Sequence, residues 1–253
     1  MPNIFKNRVG ENYTTNEGYK VEIIEYFGSN NCTVKFEDGK VYKNVAFSHI
    51  KKGNVRNPYH RSVVNVGYLG IGKHKSRKDN IKTIKYYYWV SMLTRCYSER
   101  YQQKFPTYIG CSVDDSWHNF QNFGDWYDKN FNSKTMQGWN LDKDILEKGN
   151  KIYSPETCCF VPQEINKLFL KPKLKTDLPI GVFKLNNRFV SQCNTDKKSR
   201  HIKCSNTFEE AFQAYKEVKE NYIKKIAIEY YSTGKIPLKV YNAMYNYTIE
   251  VTD

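Results

Sequence analysis

The spacing of apolar residues changes period along the chain, and each change marks an element boundary. Residues 17–50 alternate with period two: 21–26 and 32–36 are rich in β-formers, with a turn at 28–31 between them. Asp38-Gly39 is the dipeptide that favours a two-residue hairpin loop, and 41–47 follows as a third strand. The pattern predicts a small, strongly bent β-domain over 1–72, closed by a segment in which Pro58, Gly67, Gly70 and Gly72 oppose regular helix. From residue 86 the period becomes three and four. Trp89, Met92, Leu93 and Cys96 predict an amphipathic helix over 86–98, residues 108–113 a short strand, and Ser116 the cap of a second helix. Trp117, Phe120, Phe123 and Tyr127 share one face of that second helix, the pattern of a core stripe more than of a base-stacking platform.

Strand, loop, strand and helix follow closely over 139–169. Residues 139–145 read as a short strand ending in carboxylates, and a loop carries Gly149-Asn150 and Ser154-Pro155. Residues 158–161 form the second strand, and Pro162 suits the first turn of a helix reaching Phe169. Beyond a lysine-rich link, 180–183, 188–193 and 202–204 predict three strands, the first two joined by Asn186-Asn187. Thr207-Phe208-Glu209-Glu210 is a capping box. The helix it opens carries an apolar stripe from Phe208 and Ala211 through Tyr215, Val218 and Tyr222 to Tyr230, until Gly234 and Pro237 end it. The expectation is an α+β chain: an N-terminal β-domain (1–72), a basic linker (73–85), a central unit with preceding helices (86–170), a linker (171–178), and a three-stranded sheet with a long helix (179–253).

Charge adds a class of partner. The chain has 40 Lys and Arg against 26 Asp and Glu, a formal charge of +14. That excess suits a polyanion, because neutralised phosphates release condensed counterions; codon bias toward Lys, Asn and Tyr in a soluble basic protein gives the same composition. Residues 73–85 hold five lysines and one arginine against one aspartate, which fits either a solvated linker or a basic strap along a phosphate backbone. No apolar run approaches the roughly 18 residues of a membrane span, and the N-terminus lacks a secretory apolar stretch, so a cytoplasmic protein is expected. Seven cysteines with no C-x-x-C pair argue against zinc, and their odd number suits a reducing compartment.

Several separated blocks carry a family likeness. Asp142-Lys143-Asp144-Ile145, Gly149-Asn150, the Ser-Pro-Glu-Thr-Cys turn at 154–158 and the Val161…Ile165-Asn166 ending resemble the HNH homing-endonuclease-like proteins of bacteriophages. Trp89, Met92 and Arg95-Cys96-Tyr97, then 108–113, then Trp117, Phe120 and Phe123 resemble the lead-in of many of them. The likeness implies a ββα-metal unit that holds one Mg²⁺ or Mn²⁺ against a scissile phosphate of duplex DNA, with hydrolysis at a preferred site. Position by position, it makes Asp142 and Asn166 the metal ligands and Asn150 a structural residue. Lys143 stands where the general-base histidine belongs, and Thr157 where an asparagine braces that histidine. Pro179-Ile180-Gly181-Val182, the basic hairpin around Arg188, and Thr207…Ala211 with Ala214-Tyr215 resemble an Apetala-type DNA-binding domain, although Cys204-Ser205 replaces the usual leucine-glycine. There a sheet lies in the major groove, which implies Lys184, Asn186, Arg188, Lys197, Lys198 and Arg200 on or beside DNA-facing strands.

The histidine's absence leaves four routes open. Lys143 acts as the base after a lowered pKa, or remains charged and stabilises phosphate charge. Asp144 adds a ligand, since strand alternation turns it from Lys143 toward the face of Asp142. His118 approaches from the preceding helix, although a lone histidine beside tryptophan is more often structural. Finally the site is inactive, in a DNA-binding protein or regulator that reuses the scaffold. Loss of a general base costs about 10² to 10⁴ in rate, which a slow nickase survives better than an efficient double-strand endonuclease. A third class, an RNA-binding module, draws support only from the aromatic content.

Overall fold

The computed structural model describes residues 7–170, 177–196 and 198–253. The chain is a mixed α+β protein whose contacts divide it into two compact units, Met1–Tyr86 with Asp115–Phe123, and Tyr87–Asp114 with Gly124–Asp253.

In the first unit, β1 (Asn12–Thr14), β2 (Lys20–Tyr26), β3 (Cys32–Phe36) and β4 (Val41–Val45) form an antiparallel sheet in sequential order. The period-two pattern is the cause. Val21 and Ile23 point inward while Lys20 and Glu22 face solvent, and with Val34 and Phe36 they close a core over Ile50 and Val55. Register shifts at Ile23/Glu25 and Cys32/Val34 bend the sheet. The expected third strand is the fourth and stops at Val45, where the short helix α1 (Phe47–Lys51) takes over.

Residues 73–85 are not structureless. Arg77–Lys78 (β5) and Ile81–Lys82 (β6) pair antiparallel around Asp79 and Asn80, both left-handed at φ 50° and 62°. Positive φ at both central residues is what a tight hairpin turn of matching twist requires, and Asp and Asn tolerate it. Ser116 is not a helix cap either: it lies in a 3₁₀ turn, Asp115–His118. Asn119 does the capping, its Oδ1 accepting the Gln121 N–H at 3.0 Å.

The second unit opens with α2 (Ile84–Tyr97), which enters from the first, and α3 (Glu99–Lys104). The strand expected over 108–113 shrinks to β7 (Ser112–Val113), because a 3₁₀ turn at Pro106–Tyr108 and a left-handed Gly110 occupy its first half. After α4 (Phe120–Asn130) come β8 (Asn140–Asp142), β9 (Ile152–Tyr153), β10 (Cys159–Val161) and α5 (Gln163–Leu168). β8 pairs antiparallel with β10, setting Asp142 opposite Cys159, and β7 runs parallel to β9. Phe160 anchors the pair in an aromatic cluster with Tyr88, Tyr127 and Phe131, at centroid distances of 5.3, 5.6 and 4.9 Å.

The chain ends in an antiparallel sheet of β11 (Val182–Leu185), β12 (Arg188–Thr195) and β13 (Lys198–Ser205), backed by α6 (Phe208–Ser232) and α7 (Leu238–Tyr245). Thr207 caps α6 by accepting the Glu210 N–H, as its capping box predicts. Gly181, at φ 79°, crosses so close to the Tyr215 ring that any Cβ there would collide with it. One hydrophobic core joins Ile145, Val161 and Ile165 of the 140–168 segment to Val182, Cys193, Ala211, Ile223 and Met244. Central and C-terminal regions are therefore built around common side chains rather than tethered. Among the described residues no helix is long and apolar enough to cross a membrane.

Candidate functional site

β8 ends at Asp142 because that side chain closes the strand. Its Oδ1 accepts the N–H of Asp144 at 2.9 Å and of Ile145 at 2.8 Å, which turns the backbone out of the ladder. The turn defeats the alternation expected from sequence: Asp144 does not point away from Lys143. Lys143 Nζ lies 3.0 Å from Asp144 Oδ2 and donates to the Asn150 carbonyl at 2.9 Å. Asn150 locks this arrangement, its Nδ2 donating to the carbonyls of Lys143 and Ile152, each at 2.7 Å, while its Oδ1 accepts the Ile152 N–H at 3.1 Å. Thr157 braces the loop's far side, donating to the Ile152 carbonyl at 2.9 Å and meeting Ser154 Oγ at 3.0 Å.

Lys143 is 8% exposed, so its charge faces protein more than water. It sits 6.0 Å from the centre of the Tyr153 ring, whose hydroxyl accepts from Arg95 Nη1 at 3.4 Å. Burial raises the Tyr153 phenol well above its ordinary range, so it is neutral at physiological pH. Arg95 Nε is buried and meets no hydrogen-bond acceptor among the described residues. In the sequence Arg95 is one letter of the lead-in blocks, and its approach to the loop depends on contacts 58 residues away.

Burial, then the charge of Asp144, pushes the Asp142 carboxyl up to about 6, against the two backbone N–H groups that favour its ionised form. A carboxylate pair in this condition gains from a shared cation. Among the described residues no group of three or more His, Cys, Asp or Glu gathers to hold a metal ion. The donors at hand are the oxygens of Asp142 and Asp144; Asn166 is half-exposed on α5, which packs against β8, and among the described residues its side chain makes no hydrogen bond to either carboxylate. Two carboxylates, joined by an amide oxygen, would be a hard donor set of the kind Mg²⁺ or Mn²⁺ takes. The neighbouring Cys159 thiol is pushed up to about 12 by burial and by Asp142. His118 belongs to the first unit, where its Nδ1 lies 3.5 Å from Asp115.

The second candidate surface is the C-terminal sheet. Lys184, Asn186, Arg188, Lys198 and Arg200 are all exposed, and Lys197 lies outside the described residues. Opposed residues of an antiparallel ladder share a face, and the register divides these cations. Lys184 pairs with Phe189, Arg200 with Cys193 and Lys198 with Thr195, the helix-covered side, where Arg200 reaches Asp196 at 3.5 Å. On the opposite face Arg188 pairs with Leu185, Gln192 with His201 and Asn194 with Ser199. Gln192, Asn194 and His201 were not singled out from sequence; alternation along β12, counted from Cys193, would have found Gln192 and Asn194, whereas His201 follows only from the pairing of β12 with β13. No protein-family model, curated protein or solved structure matches this chain.

Proposed function

We propose that the protein binds duplex DNA and hydrolyses a phosphodiester at a preferred site, as a slow, metal-dependent nickase or endonuclease of the ββα-metal, HNH-like kind found in bacteriophages, working in the cytoplasm of a bacterial host. The observation that carries this reading is the Asp142–Lys143–Asp144 knot, held by Asn150 at the end of a strand pair whose following helix bears Asn166. Asp142 and Asn166, with Asp144 alongside, would hold Mg²⁺ or Mn²⁺, which supplies Lewis-acid stabilisation of the phosphate. Lys143 donates to two acceptors, an arrangement suited to an ammonium that steadies developing phosphate charge rather than to a proton acceptor. Neither Asn150 nor Thr157 touches a reacting group; they hold the loop. The C-terminal sheet is the reader in the sense of an Apetala-type domain. Arg188, Gln192, Asn194 and His201 face base edges, and Lys184, Lys198 and Arg200 lie at the rim for phosphates.

A second reading rests on one fact: the residue at the base position is tied to Asp144 and Asn150 and so occupied within the protein. On that reading the chain is a sequence-specific DNA-binding protein or regulator without cleavage. Supercoiled DNA with Mg²⁺ or Mn²⁺ separates the two. Nicking that disappears with EDTA and in Asp142→Ala supports the enzyme; a site that is bound but never nicked leaves the regulator.

A further inference from the structure

The basic ribbon of residues 76–83 has no part in either site, and its construction does not suit a linker. Its base is fixed inside the first unit. His74 is 7% exposed; its N–H donates to Gln121 Oε1 at 2.9 Å, and its carbonyl accepts from Gln121 Nε2 at 3.1 Å. Thr83 closes the hairpin, its N–H reaching the Ser76 carbonyl at 3.0 Å and its Oγ1 the Lys75 carbonyl at 3.0 Å. Tyr86 then packs on Phe120 at 5.4 Å. From this anchor the tip extends with Lys75, Arg77, Lys78, Asp79, Asn80, Ile81 and Lys82 all exposed. An isolated two-stranded hairpin is marginal in water, so the anchor holds a projection that does not sustain itself.

The register sorts the tip into two faces. Arg77 is opposite Lys82, and Lys78 is opposite Ile81. One face is wholly cationic; the other couples a cation to an isoleucine left 73% exposed. Arg77 also donates to the Asn80 carbonyl at 3.1 Å, which stiffens the turn. Strands about 4.8 Å apart, widened by side chains, match the roughly 12 Å major groove and not the roughly 6 Å minor groove. We propose that this ribbon is a DNA arm. It enters the major groove of a duplex, with Arg77, Lys78 and Lys82 on the flanking phosphates and Ile81 against thymine methyl groups. The inference rests on the reading of the protein as a duplex-DNA binder and adds a contact surface that reading does not contain.

The test is an equilibrium binding series on the full chain across salt concentrations, comparing wild type with Arg77→Gln/Lys78→Gln/Lys82→Gln. All three positions are exposed, so the melting temperature stays unchanged. Loss of three phosphate contacts lowers the slope of log K against log salt by about 2.7 and weakens affinity on the order of 10²-fold near 0.1 M salt. The charge-conserving pair Lys78→Arg/Lys82→Arg retains both. Ile81→Ser weakens binding several-fold with no change of slope, and uracil in place of thymine in the duplex removes that difference. Wild-type binding with an unchanged triple variant overturns the arm alone. Failure of the wild type to bind any duplex overturns the DNA reading and the arm with it. A larger loss on single-stranded RNA than on duplex DNA overturns the assignment to duplex.

Discussion

The loop at 142–157 and the C-terminal sheet are both polar, yet the loop ties up its polar atoms far more completely than the sheet does. In the loop, side chains satisfy one another: Asp142 caps its own turn, Lys143 is held by Asp144 and Asn150, and Thr157 by Ile152 and Ser154. In the sheet, Arg188 donates to Asn206 Oδ1 and Gln192 to Ser199 Oγ, yet Arg188, Gln192, Asn194 and His201 all stand exposed, facing away from the helix that covers the other side. A preorganised centre gains precision from such internal bonds, but every bond a catalytic group makes at home is one it must share with substrate. On the proposed function, the exposed sheet would meet a polyanion more openly than the internally bonded loop would meet a scissile phosphate.

Four changes test that contrast, from the largest effect downward. Asp142→Ala removes nicking, at least 10²-fold in a single-turnover assay on the order of other preorganised electrostatic groups, while gel-shift affinity stays within about two-fold, since phosphate contacts elsewhere supply most of it. The reverse pattern would make the loop a binding element. Replacing Arg188, Gln192 and Asn194 together with alanine lowers preference for the cognate over random duplex by about 10²-fold, taking 1–3 kcal/mol for each good base contact. Retained preference in competition binding would remove the sheet from the reading role.

Asn150→Ala acts on stability instead. It strips the Lys143 and Ile152 carbonyls of their donor, a cost of about 1–3 kcal/mol, and a melting temperature lower by about 2–12 °C is expected for a domain of this size. An unchanged melting curve would mean the loop does not depend on that brace. The smallest effect concerns pH. The Asp142 carboxyl is raised from 3.8 to about 6, so its contribution favours the fold below about pH 4 and is lost as pH rises through 6. Metal-free protein accordingly loses stability across that window, and Mg²⁺ restores it above pH 6. Asp142→Asn keeps the oxygen that closes the turn and flattens the dependence; thermal melts of both proteins from pH 4 to 8 without divalent ions check it.

What the sequence disclosed follows from how local each cause is. The capping box at Thr207, the stripe along α6 and the alternation of β2 and β3 are fixed by near neighbours, and the structure carries them. The ribbon at 77–82 escaped because Lys and Arg are poor strand signals and its turn uses Asp-Asn rather than glycine. The geometry of Lys143 and Asp144 escaped because Asp142 ends its strand with its own side chain, which no periodicity encodes. Arg95 and Tyr153 meet across 58 positions, and nothing in either neighbourhood announces the partner. The split of the sheet's cations was legible in principle, given one buried reference residue from which to count.

On the proposed function, the core common to Ile165 and Val182 would bear on where a nick falls. With Lys148 also bound to Asp253 at 2.6 Å, the loop and the sheet are packed into one unit, and on that reading they would act as a caliper with both jaws set. A recognised sequence and its cut would be separated by a constant number of nucleotides. Grafting the reader onto another chain would strip apolar residues from the loop's own support, so neither jaw can be lent out alone.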